Sequence, residues 1–248
     1  MVTLIGDGSP WHAGEIAIQK RVGVADRMAD IGKRVIRDFM PDQHREFYSQ
    51  LPFLVVGTVD SAGAPWATIV GNKPGFVQSP DKQTLTIAAD ALDNDPAAEG
   101  YAEGKGIGFL GIELHTRRRN RMNGTITASG DAQFTVGVEH SYGNCPQYIQ
   151  LRDYELINPD PNGETVENDG LSNKDKAFIR TADTFFVASY NDEKDGHRQV
   201  DVSHRGGKAG FVRVGKDGEL TIPDFAGNLF FNTLGNIHQN GQAGLLFP

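Results

Sequence analysis

The stretch Val202-Ser203-His204-Arg205-Gly206-Gly207-Lys208-Ala209-Gly210-Phe211-Val212 has an earlier shadow in Gly71-Asn72-Lys73-Pro74-Gly75-Phe76-Val77. Phe76 and Phe211 stand 135 residues apart, and the same offset carries Leu85-Thr86-Ile87 onto Leu220-Thr221-Ile222 without a gap. An offset kept over about fifteen positions marks a duplicated unit, so the chain is restricted to folds that can be built twice. The repeated segments are β-rich and Gly-punctuated, which makes the unit a β unit.

At 248 residues the chain can form two such units, each with its own core. A net charge of -8 disfavours a general nucleic-acid binder, which needs a cationic face to displace counterions. No apolar run approaches a bilayer span, and Met1-Val2-Thr3-Leu4-Ile5 breaks at Gly6-Asp7, too short for a signal-peptide core. A single cysteine, Cys145, excludes an internal disulfide. The expectation is a cytoplasmic protein with no membrane partner.

Gly6, Gly8, Pro10 and Gly14 make residues 1–22 read as an irregular arm. Val24, Met28, Ile31, Val35 and Phe39 fall at helical spacing, Pro41 closes that helix, and Asp42 opens a short second one through Gln50. Strands follow at 54–59 and 65–70, joined by the turn Asp60-Ser61-Ala62-Gly63, then near 75–77, 84–87, 107–112, 124–127 and 134–138. Ser172 starts a helix, and Phe185-Phe186-Val187-Ala188 answers Leu54 to Gly57. The expected class is mainly β with a few helices, in two tandem split β-barrel units. The arm and first helix take 1–40, the first unit 41–157, a linker 158–171 and the second unit 172–248.

Seven histidines fall into no ligand spacing and Cys145 has no second thiol beside it, so no metal site is expected. A Gly-x-Ser-x-Gly elbow is absent, and Gly104-Lys105-Gly106-Ile107-Gly108 lacks the dinucleotide-binding spacing. Arg117-Arg118-Arg119-Asn120-Arg121 is either a solvated strand edge or an anion site held by a tight turn at Asn123-Gly124. Ser203, His204, Arg205 and Lys208, among glycines, are either a ligand loop or a plain connection. Asn144 and Gln147, in Gly143 to Gln150, either line a flat ligand or satisfy a turn. A strand leading to Phe231 would feed a helix whose first turn presents Asn232 and Thr233 to a phosphate, although capping alone also explains those two.

Taken in order, these stretches, with Ser9 to Glu15, Gln43 to Phe47 and Leu51 to Gly57, resemble the pyridoxamine 5'-phosphate oxidase-like FMN-binding split-barrel proteins. The resemblance is to the two-unit subgroup sometimes joined to a ferredoxin-reductase-like module. It implies FMN held between barrels, usually across a dimer interface, and so a homodimer. In simpler members the phosphate motif is Ser-x-Lys followed by Asn-Leu-x-x-Asn-Pro. Here Asn236-Ile237-His238-Gln239-Asn240-Gly241 matches the later part, while Phe231 and Thr233 replace the serine and the lysine. Arg205 with Lys208, or the Arg117 to Arg121 run from the other unit, with Arg117 and Arg119 foremost, are the expected replacements. Asp93-Asn94-Asp95-Pro96 stands in the first unit's corresponding region, so one FMN per chain is expected, chiefly on the second unit. The second unit stops at Leu245-Leu246-Phe247-Pro248 where the first continues, as though its closing strands were truncated or supplied by a partner.

The resemblance implies a flavin-dependent oxidoreductase of unknown substrate, with no catalytic residue identified. Its alternative is an FMN-binding or electron-transfer module served by a reductase or iron-sulfur partner. Haem binding on the same fold is a third reading.

Overall fold

Three helices precede the first strand in the computed structural model, which describes residues 9–89, 95–130, 132–155, 157, 165–193 and 195–248. Helix α1 (Ala13–Arg21) lies where an irregular arm was expected. Its start is a capping box: His12 Nδ1 accepts from the Gly14 N–H at 3.1 Å, and Glu15 Oε2 accepts from the His12 N–H at 2.9 Å. Gly14 read as a helix breaker because its reason lies far away in sequence. A Cβ there would sit 2.2 Å from the Gly235 carbonyl oxygen. Residues 1–8 of the arm lie outside the described residues. Helix α2 (Ala25–Val35) ends before Phe39, because Ile36 turns extended and Arg37 bridges to Ser141. Helix α3 (Asp42–Ser49) follows Pro41 as expected.

The first unit's strands are β1 (Phe53–Val59), β2 (Pro65–Gly71), β3 (Val77–Gln78), β4 (Thr84–Ile87), β5 (Gly106–Glu113), β6 (Arg118–Gly130) and β7 (Gln133–Gly143), with a 3-10 helix at Pro96–Gly100. They form one antiparallel sheet in the order β2-β1-β5-β6-β7-β4-β3. Then come α4 (Asn173–Thr181), β8 (Thr184–Asp192), β9 (Arg198–Gly206), β10 (Arg213–Val214), β11 (Leu220–Thr221), α5 (Asn232–Asn240) and β12 (Gly244–Leu246). Here β12-β8-β9 is a three-stranded sheet and β10-β11 a ribbon. The Asn158 to Gly163 part of the expected linker lies outside the described residues.

The 135-residue offset is kept in the strand register. Gln78 pairs with Thr86 in the first unit, and Arg213 pairs with Thr221 in the second. Each hairpin also ends on the equivalent glycine, with Gly71 opposite Phe53 and Gly206 opposite Thr184. The second hairpin has nine-residue strands where the first has seven, so its turn reaches further out.

Alternation explains why β1 and β8 are buried along nearly their whole length. Leu54 and Val56 enter the first unit's core, whereas Val55 faces the second unit. Phe185 and Val187 enter the second core, whereas Phe186 points back. Val55, Leu110, Phe186 and Val202 thus close the seam, each contributing about 1.5–3 kcal/mol by burial. Both faces of these strands are interior.

Glycines on β5 let the seam approach closely. A Cβ on Gly108 would stand 2.8 Å from the Val200 carbonyl oxygen and 3.1 Å from the Asp201 Cα, both backbone atoms. Gly108→Ala is therefore expected to cost about 1–3 kcal/mol through overpacking. A thermal melt checks this, and an unshifted midpoint would mean that the units do not abut there. The Gly104 to Gly108 stretch that failed as a dinucleotide fingerprint thus includes part of the seam's contact.

Candidate functional site

A cavity of about 160 Å3 opens beside the seam, between β6 and the loop following β7 on one side and β9 with the start of α5 on the other. Most of the arginine run lies on a strand. Arg117 occupies the turn before β6, exposed and at φ 60°, while Arg119 and Arg121 lie two apart on the strand and both line the cavity. Arg118 covers the Phe47 ring instead, at 4.5 Å. Asn123-Gly124 is not the expected tight turn but a register shift inside β6.

Arg121 is 4% exposed and pairs with Asp201 at 2.8 Å. The same guanidinium donates to Tyr142 Oη at 2.9 Å, to Asn232 Oδ1 at 2.8 Å and to Ser203 Oγ. Thr233 Oγ1 donates to Ser203 Oγ at 2.9 Å, and Asn232 Nδ2 donates to Glu15. Neither Asn232 nor Thr233 caps α5. Its N-cap is Phe231, in the left-handed region at φ 63°, as is Leu229 at φ 64°. No strand leads into the helix; the irregular backbone turns its first residues toward Arg121.

Arg119 donates to His204 Nδ1 at 3.1 Å and to the carbonyls of Cys145 and Gln147, the latter at 3.1 Å. Burial, then Arg121, lowers Arg119 to about 10, still a cation at neutral pH. Burial, then Arg119 and Arg205, lowers His204 to about 3, so its ring is neutral. Arginine only donates, so Nδ1 is the acceptor and the proton sits on Nε2. Arg205 reaches Asp224 at 3.1 Å.

The cavity brings together Ser203, His204, Arg205, Asn232, Thr233, Arg119, Asn144 and Gln147 from the sequence candidates. Ser203 to Gly206 belong to β9 rather than to a connecting loop. Lys208 lies in the exposed turn beyond β9, outside the cavity, as does Arg117 in its own turn. Asn236 faces a separate polar space of about 20 Å3 and donates to Ser189 Oγ at 3.0 Å. Arg121 was visible only as part of the run, and its i+2 spacing from Arg119 was the available signal. Tyr148 belonged to the Gly143 to Gln150 cluster and Phe211 to the repeat, whereas residues 223–227 carried no signal before the fold was known.

Four buried polar atoms on cavity-lining residues have no hydrogen-bond partner: Arg119 Nε, Arg121 Nε, His204 Nε2 and Asn144 Nδ2. All four are donors, and buried donors without acceptors are costly. Among the described residues no group of three or more His, Cys, Asp or Glu could hold a metal, and no helix is long and apolar enough to cross a membrane.

Fold and cleft define a mainly β split-barrel protein with a cation-lined cavity between its two units. The sequence pattern of the pyridoxamine 5'-phosphate oxidase family matches residues 40–163, half of the chain, and the protein belongs to that family. Several solved structures are similar over somewhat less than half of the chain. HupZ of Group A Streptococcus is 12% identical, with a TM-score of 0.34, covering 42% of this chain and 93% of its own. A candidate pyridoxamine 5'-phosphate oxidase of Lactobacillus delbrueckii is 13% identical, with a TM-score of 0.35, covering 43% and 95%. An F420 reductase is 10% identical, with a TM-score of 0.30, covering 44% and 100%. No curated protein sequence matches the chain.

Proposed function

We propose that the cavity binds FMN and that the protein is a flavin-dependent oxidoreductase of the pyridoxamine 5'-phosphate oxidase type. The observation that carries this is the set of four partnerless buried donors around one cavity, beside the first turn of α5. A phosphate monoester offers the acceptors they lack, and the helix start adds a favourable dipole. The family's members commonly bind flavins or F420-type cofactors. With 41–157 and 172–248 as its units, one chain supplies both walls of the site.

In this reading Arg119, Arg121 and Arg205 hold the phosphate in place of the absent motif lysine, with Ser203 and Asn232 orienting Arg121 and Thr233 buttressing Ser203. Asn144 and Gln147 face the remainder of the ligand. The equivalent place in the first unit holds no such set. There Thr68, the counterpart of Ser203, donates to Asp95, and Ile69 and Val70 stand where the second unit has His204 and Arg205. One flavin per chain follows. Bound FMN would supply a two-electron acceptor.

A second reading, a binding or electron-transfer module that relies on a reductase or iron-sulfur partner, is favoured by His204. With its proton affinity held near 3, its ring is no acid at neutral pH. Titration of the purified protein with FMN, followed by absorbance, tests the binding common to both readings. Uptake should saturate at one equivalent per chain, and Arg205→Ala should weaken it where Lys73→Ala does not. No uptake, or equal loss in the two variants, would overturn the assignment. Mixing the loaded protein with NADH and NADPH separates the readings: direct reduction of the bound flavin favours the enzyme, and its absence favours the module.

A further inference from the structure

Residues 223–229 run without regular secondary structure along one wall of the cavity. Side chains from three directions tie this strap down. Arg205 donates to Asp224 at 3.1 Å, Tyr148 Oη donates to the Ala226 carbonyl at 3.0 Å, and Asn228 Nδ2 donates to Asn144 Oδ1 at 3.4 Å. The Tyr148 and Phe225 rings also meet, with centroids 5.2 Å apart.

The two carboxylates paired with cleft arginines differ in how easily they can leave. Asp201 is 5% exposed and also accepts from Asn123, so it is fixed beside Arg121. The Asp224 side chain is 43% exposed and Arg205 27%, so their pair is worth only about 0.2–1 kcal/mol. Three arginines against two carboxylates leave the cleft one positive charge with Asp224 seated and two with Asp224 gone. The latter matches a phosphate dianion. The cavity volume of about 160 Å3 is also below the roughly 300–1,000 Å3 usual for a ligand site. Displacing the strap would enlarge the part of the site that can bury a ligand.

We propose that Asp224 is a specificity element of this cleft: it holds the strap shut by occupying Arg205, and it yields to ligands whose dianionic group takes its place on that guanidinium. The proposal rests on reading the cleft as an anion site, and it does not require that the anion be a flavin.

The test compares the wild type with Asp224→Asn, which keeps the side chain's size and removes its charge. FMN association is followed by stopped-flow fluorescence at low ionic strength, and inorganic phosphate binding by calorimetry. Asp224→Asn should speed FMN association and tighten phosphate binding about two- to five-fold, the size of a half-exposed ion pair. Tyr148→Phe, which releases the strap from the opposite wall with no change in charge, should also speed FMN association. Unchanged or weaker binding of both probes by Asp224→Asn would overturn the proposal, as would binding of neither probe by either protein. Tighter phosphate binding by Asp224→Asn with no flavin uptake by either protein would sink the FMN reading and leave the role of Asp224 standing.

Discussion

Replacing Arg121 by alanine is expected to lower stability by about 3–5 kcal/mol, because it strands the Asp201 carboxylate in the interior without its counter-charge. The same change removes the donor shared by Tyr142, Asn232 and Ser203, which aligns the first turn of α5 with β9. For a chain of this length the melting midpoint should fall by roughly 10 °C. At temperatures where the variant is still folded, FMN retention should be lost. Asp201→Ala added to Arg121→Ala should recover part of the stability, since the buried charge is then gone, but none of the retention. Arg117→Ala, four residues away in the same run, should melt and bind like the wild type. Equal behaviour of Arg117→Ala and Arg121→Ala would refute the distinction drawn between the turn and the strand.

Stability should peak near pH 6.5 and fall on both sides, with the acid side steeper. Burial lowers His12 to about 4 and His204 to about 3; burial, with Arg37 and Arg118, lowers His44 to about 4. For each, the folded value lies below the unfolded one, so stability is lost as pH falls from about 6.5 through the folded value. Glu15 runs the other way. Burial raises it to about 8, so its contribution is complete below about pH 4.5 and is lost as pH rises through 8. Between pH 4.5 and 6.5 three histidines oppose one carboxyl, and the histidines win. Above 6.5 only Glu15 of these four still acts, with a loss on the order of 2 kcal/mol by pH 8. Denaturant titrations at pH 5, 6.5 and 8.5 read the profile. Glu15→Gln should flatten the alkaline limb alone, and a limb unaffected by that change would remove Glu15 as its cause.

The strands and their duplication were legible because both depend on local rules: period-2 apolar runs, turn residues between them, and an offset that preserves register. Gln78 with Thr86 and Arg213 with Thr221 show how far that signal reached. Helix α1 was not legible, because Gly14 is required by Gly235, more than two hundred residues away in sequence. The cleft was half legible. Ser203, Arg205, Asn232 and Thr233 announced themselves by residue type, but grouping them with Arg119 and Asn144 needed the packing of β6 on β9. Lys208 and Arg117 illustrate the converse. Lys208 next to its glycines and Arg117 in its run satisfy the chemical pattern, yet each is exposed to solvent outside the cavity. The strand-edge reading of the run had the element right, but the burial of the face that carries Arg119 and Arg121 came only with the packing.

The seam at Gly106 and Gly108, where β5 lies against β9, also fixes how the cavity depends on concentration. Its two walls belong to one polypeptide, so their association is intramolecular and cannot be undone by dilution. The approach of these two walls to each other is therefore independent of protein concentration. Covalent union also frees the halves from having to be identical. The place around Thr68 and Asp95 can drift toward scaffold while the place around Ser203 and Arg205 keeps its charge, a division of labour closed to an assembly of identical subunits.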